Sequence, residues 1–136
     1  MTQNEHPIHH LDDAMCWSML QANSLGRLAV SADGDVDIFP INYFADGSTL
    51  LFRTAPGTKL ASLTANSHVA FEIDGSTGVE AWSVVVKGTA RVLTDPADVR
   101  DADAAPLNPW APTEKKHYVR IIPTAVTGRF FDRVDV

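Results

Sequence analysis

The chain has 136 residues, of which 45% are hydrophobic and 21% charged, and its formal net charge is −6 at pH 7. This length fits one domain that buries a core without disulfides. The acidic balance argues against a nucleic-acid or anionic-membrane partner, because both need a basic face. No apolar run approaches the roughly 18 residues of a membrane span. Cys16 is the only cysteine, so no internal disulfide is possible and a reducing, cytoplasmic setting is expected.

The polar N-terminus contains no apolar segment of the kind found in secretory signals. Residues 1–10 are expected to form a flexible tail, and residues 11–136 a single domain. Three histidines lie close together in the tail: His6, His9 and His10. A metal site there is the less favoured interpretation, because the acidic residues beside them, Asp12 and Asp13, suit a helix start better than a ligand set.

Capping residues and apolar spacing predict three helices. The first, Leu11–Ala22, begins at an acidic cap and carries an apolar stripe. The stripe consists of Met15, Cys16, Met19 and Leu20. The second helix is Thr58–Asn66, after a Pro-Gly break, and the third is Asp95–Ala104, with Pro96 at its first position.

Between and after these helices, β-rich segments alternate with turn dipeptides such as Asp-Gly, which predicts strands in hairpin order. The six predicted strands are Arg27–Ala32, Val36–Phe44, Thr49–Thr54, His68–Ile73, Val79–Leu93 and His117–Asp132. Pro123 is expected at a bend or bulge of the last strand. The fold class is therefore mostly β with small helices, and the arrangement favours a six-stranded barrel with capped ends.

The segment Phe52–Lys59 is the first candidate site, because a strand leads through a glycine turn into a helix. Helix N-termini present backbone N–H groups and a positive dipole end that suit a phosphate, and a glycine lets the backbone approach closely. Its donors and cations are Arg53, Thr54, Gly57, Thr58 and Lys59. The residues alone fit equally well with solvated surface cations and a plain helix cap at Thr58. The spacing is not that of a P-loop.

Two further strands carry chemistry suited to a flat aromatic ligand. The first contains Pro40, Ile41, Asn42 and Tyr43. A proline inside a strand leaves a neighbouring carbonyl without a ladder partner, although it also guards an edge strand. The second contains Trp82, Ser83, Val84 and Lys87. This strand is apolar on both faces, which suggests contact with a partner subunit, whereas Trp82 also fits a simple core position.

In this order the segments resemble the pyridoxamine-5′-phosphate-oxidase-like FMN-binding split β-barrel family. The similarity runs well over residues 11 to about 93 and loosely over the last strand. The matching motifs are Gly-Arg-Leu-Ala-Val, Pro-Ile-Asn-Tyr, Phe-Arg-Thr-x-x-Gly-Thr-Lys-Leu and Trp-Ser-Val-Val-Val-Lys-Gly-x-Ala. The resemblance implies a homodimer with two flavin sites at the subunit interface.

The family's site residues carry over position by position. Its phosphate segment matches Arg53, Thr54, Thr58 and Lys59, and its ring-contacting strand matches Pro40, Ile41, Asn42 and Tyr43. Its long strand, which faces the cofactor from the partner subunit, matches Trp82, Ser83 and Val84, with Lys87 nearby. Trp110 lies on a Pro-rich loop that could cover the ring.

The C-terminus departs from true pyridoxamine-phosphate oxidases, whose Arg/His substrate motif has no match in residues 127–133, which argues against vitamin B6 oxidation. The resemblance therefore implies a flavin-dependent oxidoreductase acting on an unidentified small molecule, with FMN as cofactor. The deazaflavin F420 is the alternative, since Lys115 and Lys116 could meet its acidic tail, although a solvated loop explains them too. A flavin- or heme-binding carrier or sensor without turnover, or a cofactor-free structural dimer, also fits.

Overall fold

The chain folds into one antiparallel sheet that curls into a half-barrel. The computed structural model describes residues 8–107 and 117–132. In chain order the elements are β1 (Ile8–Leu11), α1 (Asp13–Ala22), β2 (Leu25–Ala32), β3 (Asp35–Asn42), β4 (Phe44–Ala45), β5 (Leu50–Thr54), α2 (Thr58–Ala65), β6 (His68–Ser76), β7 (Glu80–Val92), α3 (Pro96–Asp103) and β8 (His117–Asp132). The strand order is β3-β2-β6-β7-β8-β5-β4, and β1 pairs with β8.

The concave side of this sheet holds the main core, because alternate residues of each strand point inward. Fully or almost fully buried residues of this core include Leu28, Val30, Phe52, Phe71, Ile73, Val84, Val86, Val119 and Ile121. Helix α1 adds Cys16 and Leu20, both with no exposed surface. Cys16 is thus a core residue, as predicted. A second, smaller cluster forms where α3 lies, from Leu51, Leu93, Ala102 and Tyr118.

The three predicted helices are confirmed, and side-chain caps explain where α1 and α3 begin. The Asp12 carboxylate accepts a hydrogen bond from the Met15 amide at 2.8 Å, and Asp95 caps α3 in the same way through Ala97 at 2.9 Å. Met15 is the exception within the predicted stripe: it is 50% exposed, because the face of α1 that meets the sheet is centred on Cys16 and Leu20. Within the described ranges, no helix has the length and apolar character to cross a bilayer.

All six predicted strands are present, and the mostly β, split-barrel fold class is confirmed. The described residues form eight strands, because β1 was not predicted and the predicted strand Val36–Phe44 is divided at Tyr43 into β3 and β4. The tail expected over residues 1–10 does not hold for residues 8–10, since they lie in β1. There the main chain pairs with β8, and the His9 ring lies 5.8 Å from that of Phe130. The two-residue β4 follows Tyr43 and pairs with β5, whereas β3 pairs with β2.

The long β7–β8 pair contains the bend predicted at Pro123. Its register shifts between Lys87 and Gly88, and Gly88 pairs with Pro123. A Cβ added at Gly88 would lie 2.2 Å from the Ile122 carbonyl oxygen. The two backbones therefore approach so closely at the bulge that only glycine fits.

The turn between β4 and β5 fixes the register of β5. The Asp46 carboxylate accepts hydrogen bonds from the amides of Ser48 at 2.9 Å and Thr49 at 2.7 Å. Arg120 of β8 donates to the Thr49 hydroxyl at 2.7 Å. Burial alone would raise the pKa of Asp46, but the hydrogen bonds from Ser48 and Thr49 outweigh it and hold the pKa below its usual value.

Gly88→Ala is expected to lower the free energy of unfolding by about 1–3 kcal/mol, because the new methyl group must displace backbone. Urea denaturation of the variant and the parent protein measures the difference. Gly78→Ala is the matched control, since a Cβ there meets no heavy atom within 4 Å. Equal losses in the two variants would contradict the close approach at the bulge.

Asp46→Ala is expected to lower the free energy of unfolding at pH 7 by about 1 kcal/mol, the usual value of a lost side-chain cap. Because the pKa of Asp46 is lowered in the folded protein, its stabilisation exists above the unfolded value near pH 4 and disappears as the pH falls through the folded pKa. Urea titrations from pH 7 to pH 2.5 should show the variant and parent converging. Asp35→Ala, at an exposed carboxylate, is the control; a difference for Asp46 that does not depend on pH would contradict the argument.

Candidate functional site

The candidate site lies where β3 and β5 diverge. Phe44 of β4 pairs with Leu51 of β5 in an antiparallel register. Extending this register by two residues puts Asn42 opposite Arg53. At this point β3 comes close to β5 but is hydrogen-bonded to β2 instead. The side chains of Asn42 and Arg53 project to the same side, because strand residues alternate with a period of two.

The side chain of Asn42 carries a buried acceptor without a hydrogen-bond partner among the described residues. Its Oδ1 is fully shielded from solvent and has no hydrogen-bond partner among residues 8–107 and 117–132. Leaving such an acceptor unpaired costs roughly 1–3 kcal/mol. A donor on a ligand that reached this atom would relieve the cost, which makes Asn42 a candidate acceptor for a ligand's N–H group.

The neighbours of Asn42 in the predicted ring-contacting strand hold the end of β3 in place. Ile41 and Tyr43 are 5% and 3% exposed and belong to the core. The Tyr43 hydroxyl donates to the Leu20 carbonyl at 2.7 Å. Burial raises the pKa of Tyr43 well above its usual value, so the phenol stays protonated. The side chains of Ile41 and Tyr43 therefore serve the core, whereas Pro40 is exposed beside Asn42.

The predicted phosphate segment joins β5 to α2, as the sequence indicates. Gly57 occupies the N-cap position of α2, and no side chain caps the helix. Gly57 and Thr58 are exposed, and a Cβ added at Gly57 would meet no atom within 4 Å. The first N–H groups of α2 thus face open space. Thr54 differs, because it is only 3% exposed and its hydroxyl donates to the Ala55 carbonyl at 3.2 Å.

Two cations tie this segment to neighbouring strands. The Lys59 Nζ lies 5.4 Å from the centroid of the Phe39 ring on β3, which brings the start of α2 to the strand that carries Asn42. The Arg53 guanidinium carbon lies 5.2 Å from the centroid of the Tyr118 ring on β8. Both are cation–π contacts. Lys59 therefore lies beside β3, the strand that carries Asn42, and Arg53 lies beside β8.

Tyr118 and Asp103 belong to the surroundings of Arg53, and sequence reasoning did not find them. The Tyr118 hydroxyl donates to Asp103 Oδ1 at the end of α3. Burial raises the pKa of Tyr118, Asp103 raises it further, and the charge of Arg53 acts in the opposite direction. Tyr118 lies beside Arg53 because β5 pairs with β8. No local sequence pattern predicts that pairing.

The third predicted group, on β7, lies elsewhere in the chain. Val84 is fully buried in the core, and Trp82 packs against the core beside Gly75. Ser83 and Lys87 point to the convex face, in a cavity of about 290 Å³. That cavity is also lined by Val85, Thr127 and Arg129.

The β7 group is far from Arg53 within one chain. Trp82 pairs with Phe130 and Arg53 pairs with Tyr118. These partners are twelve residues apart on β8, which corresponds to a path of about 40 Å along the strand. Lys87 is nearer than Trp82, because its partner Ala125 is seven residues from Tyr118, a path of about 23 Å along the strand.

Several predicted positions lie outside the described residues: His6, Trp110, Lys115 and Lys116. His9 and His10 lie on β1. In the parts of the chain that the structure describes, no three or more His, Cys, Asp or Glu side chains form a group that could hold a metal ion.

Known proteins are similar to this chain in sequence or in fold. A Mycobacterium tuberculosis protein of uncharacterized function is 54% identical over 85 residues, which are 62% of this chain and 77% of that protein. A Corynebacterium glutamicum structure, provisionally named a pyridoxamine 5′-phosphate oxidase, has a TM-score of 0.88 and 39% identity, covering 98% of this chain and 100% of the other. The FAD binding protein from Mycobacterium smegmatis has a TM-score of 0.78 and 41% identity, covering 91% and 98%.

The family model described as pyridoxamine 5′-phosphate oxidase matches residues 12–130. This range contains the divergence of β3 and β5, the start of α2 and nearly all of the β7–β8 pair. The chain belongs to the pyridoxamine 5′-phosphate oxidase family.

Proposed function

We propose that the protein binds a flavin nucleotide, FMN, at the point where β3 and β5 diverge, and uses it in a redox reaction of a small molecule. The observation that carries this proposal is the buried, unpaired Oδ1 of Asn42 in the same region as Arg53 and Lys59. The FAD binding protein from Mycobacterium smegmatis, at 41% identity, supports a flavin as the ligand.

The residues present fit both ends of such a molecule. The pyrimidine edge of an isoalloxazine ring carries an N–H donor, which suits the unpaired acceptor of Asn42, and the exposed Pro40 offers an apolar surface beside it. The phosphate end needs cations and N–H donors. Arg53 and Lys59 supply the charge, and the uncapped start of α2 at Gly57 and Thr58 supplies the N–H groups.

A homodimer with shared sites is the second part of the proposal. Trp82 lies about 40 Å along β8 from Arg53, so another copy of the chain could bring it to a flavin more directly than its own chain. The convex face of the sheet also carries exposed apolar side chains: Val36 and Ile38 are 68% and 66% exposed. Ile38 lies in the same cross-strand row as Lys87, through Ala29 and Ala70. A partner seated on this face would cover the apolar row and bring Ser83 and Lys87 to its own flavin.

A bound flavin would supply the hydride or electron transfer, so the chain's own residues need only bind, orient and shield it. Asn42 would orient the ring through its amide, and Arg53 and Lys59 would hold the phosphate. Steady-state reduction of artificial acceptors with NADH or NADPH separates an enzyme from a carrier or sensor. Tight flavin binding without any such turnover would remove the oxidoreductase part of the proposal.

Lys59→Ala is expected to weaken FMN binding by roughly 1–3 kcal/mol, the value of a hydrogen bond to a charged group. Flavin fluorescence quenching in titrations of the purified protein measures the affinity, with FAD, riboflavin and F420 as comparison ligands. Arg91→Ala removes an exposed cation on β7 and serves as the control. Unchanged affinity in Lys59→Ala would remove Lys59 from the site. Failure of the parent protein to bind any flavin at micromolar concentration would overturn the proposed function, and preference for F420 would replace FMN.

Mixing two defective chains tests whether the sites are shared. Lys59→Ala and Lys87→Ala homodimers should each bind FMN weakly at both sites. A mixed dimer contains one site with both defects and one with neither, so about half of its sites should regain parental affinity. Co-expression with two different affinity tags isolates the mixed dimer, and light scattering gives its mass. A monomeric protein, or a mixed dimer as weak as its parents, would contradict the shared site.

A further inference from the structure

We infer that Tyr118 and Asp103 are positioning residues for Arg53, so that helix α3 sets how strongly the proposed site prefers a phosphorylated ligand. The inference rests on the proposed flavin site and names residues that the family resemblance did not bring into it. The argument begins with the contact between Arg53 and Tyr118.

The register of β5 and β8 fixes that contact. Arg53 and Tyr118 are direct cross-strand partners, so their side chains stand on the same face of the sheet. The Tyr118 ring is only 6% exposed and packs in the cluster of Leu51, Leu93 and Ala102. A ring held this firmly gives the guanidinium, 5.2 Å away, a fixed surface to lie on.

Asp103 holds the other end of the ring. It is the last residue of α3, where the helix dipole is negative and a carboxylate is disfavoured. The hydrogen bond from the Tyr118 hydroxyl compensates for this position. A phenol that donates to a carboxylate also becomes richer in electron density, which strengthens its attraction for a cation. The charge of Arg53 in turn lowers the pKa of Tyr118 against the effects of burial and Asp103, as expected for a cation close to the phenol.

Positioning matters because a long side chain loses conformational freedom when it binds an anion. Arginine carries about 2 kcal/mol of rotamer entropy, but less is lost when its planar group is already oriented. A guanidinium held over Tyr118 would therefore bind a phosphate more tightly than a free one. The benefit should appear only for ligands that carry a phosphate, because nothing in this arrangement meets the ring of the flavin.

The test compares the affinities of the full-length protein for FMN and for riboflavin, which has the same ring system and no phosphate. Tyr118→Phe keeps the ring and removes the hydroxyl, and Asp103→Asn removes the charge. Each is expected to lower the ratio of FMN to riboflavin affinity by about three- to tenfold, consistent with a weakened cation–π contact and a less ordered guanidinium. Riboflavin affinity should change by less than about twofold, because the ring-binding residues are untouched.

Two controls separate positioning from a general loss of structure. Tyr43→Phe also removes a buried phenol hydrogen bond, the one to Leu20, and should lower the melting temperature without changing the ratio. In an Arg53→Ala background, Tyr118→Phe should have no further effect on FMN affinity, because the residue that it positions is gone. The melting temperature of every variant shows whether it is folded.

Three results would count against the inference. An unchanged ratio in both Tyr118→Phe and Asp103→Asn, with FMN binding intact in the parent protein, would overturn it and leave the proposed function standing. An equal loss of FMN affinity in the Arg53→Ala background would show that Tyr118 acts elsewhere and would overturn it as well. A parent protein that binds neither FMN nor riboflavin would overturn the proposed function, and this inference with it.

Discussion

The pairing of β8 with three different strands, β5, β7 and β1, is the constraint on which the rest of the structure depends. One end of β8 pairs with β5, and most of its length pairs with β7. A single strand of sixteen residues therefore links the phosphate segment to the far end of the sheet. The bulge at Gly88 and Pro123 bends this ladder, so that the sheet curls instead of remaining open. The positions of the candidate residues on β5 and β7 follow from where these strands meet β8.

This constraint has opposite consequences for the two halves of the proposed site. At one end it brings Tyr118 beside Arg53 and, through α3, adds Asp103. Toward the other end it carries Ser83 and Lys87 away from Arg53 and turns them to the convex face. The proposed site that uses both groups therefore draws on two chains. An acidic protein can still hold an anion there, because its cations are concentrated locally at Arg53 and Lys59.

The sequence predicted those parts of the molecule that local chemistry determines. Asp12, Asp95 and Pro96 fix where two helices begin, and turn dipeptides separate the strands, so element positions followed from short-range patterns. The prediction that Met15 belongs to the buried stripe was wrong, because an apolar residue at the edge of a helical stripe becomes buried only if the sheet reaches it. Strand β1 was missed, because its His-rich sequence has no strand pattern and it is held by pairing with β8.

The candidate site shows the same difference between residues that local sequence predicts and residues that only tertiary pairing brings in. The phosphate segment is continuous in sequence, so its residues could be named from the strand, the glycine turn and the helix start. In the expected ring-contacting strand, Ile41 and Tyr43 are core residues, whereas Pro40 and Asn42 remain candidate site residues. That separation depends on which face of β3 meets the core. Tyr118 and Asp103 could not be found from the sequence, because their link to Arg53 exists only through cross-strand pairing and the placement of α3.

Asn42 shows why burial and hydrogen bonding must be considered together. It ends a strand whose neighbouring residues are core, and an apolar side chain there would avoid the roughly 1–3 kcal/mol that its unpaired oxygen costs. That cost is a large part of the 5–15 kcal/mol by which a domain of this kind is stable. Folding alone therefore gives no reason for an asparagine at this position. A ligand that donates to Oδ1 does give a reason, because it turns a defect of the free protein into a gain in binding free energy that an apolar residue cannot provide.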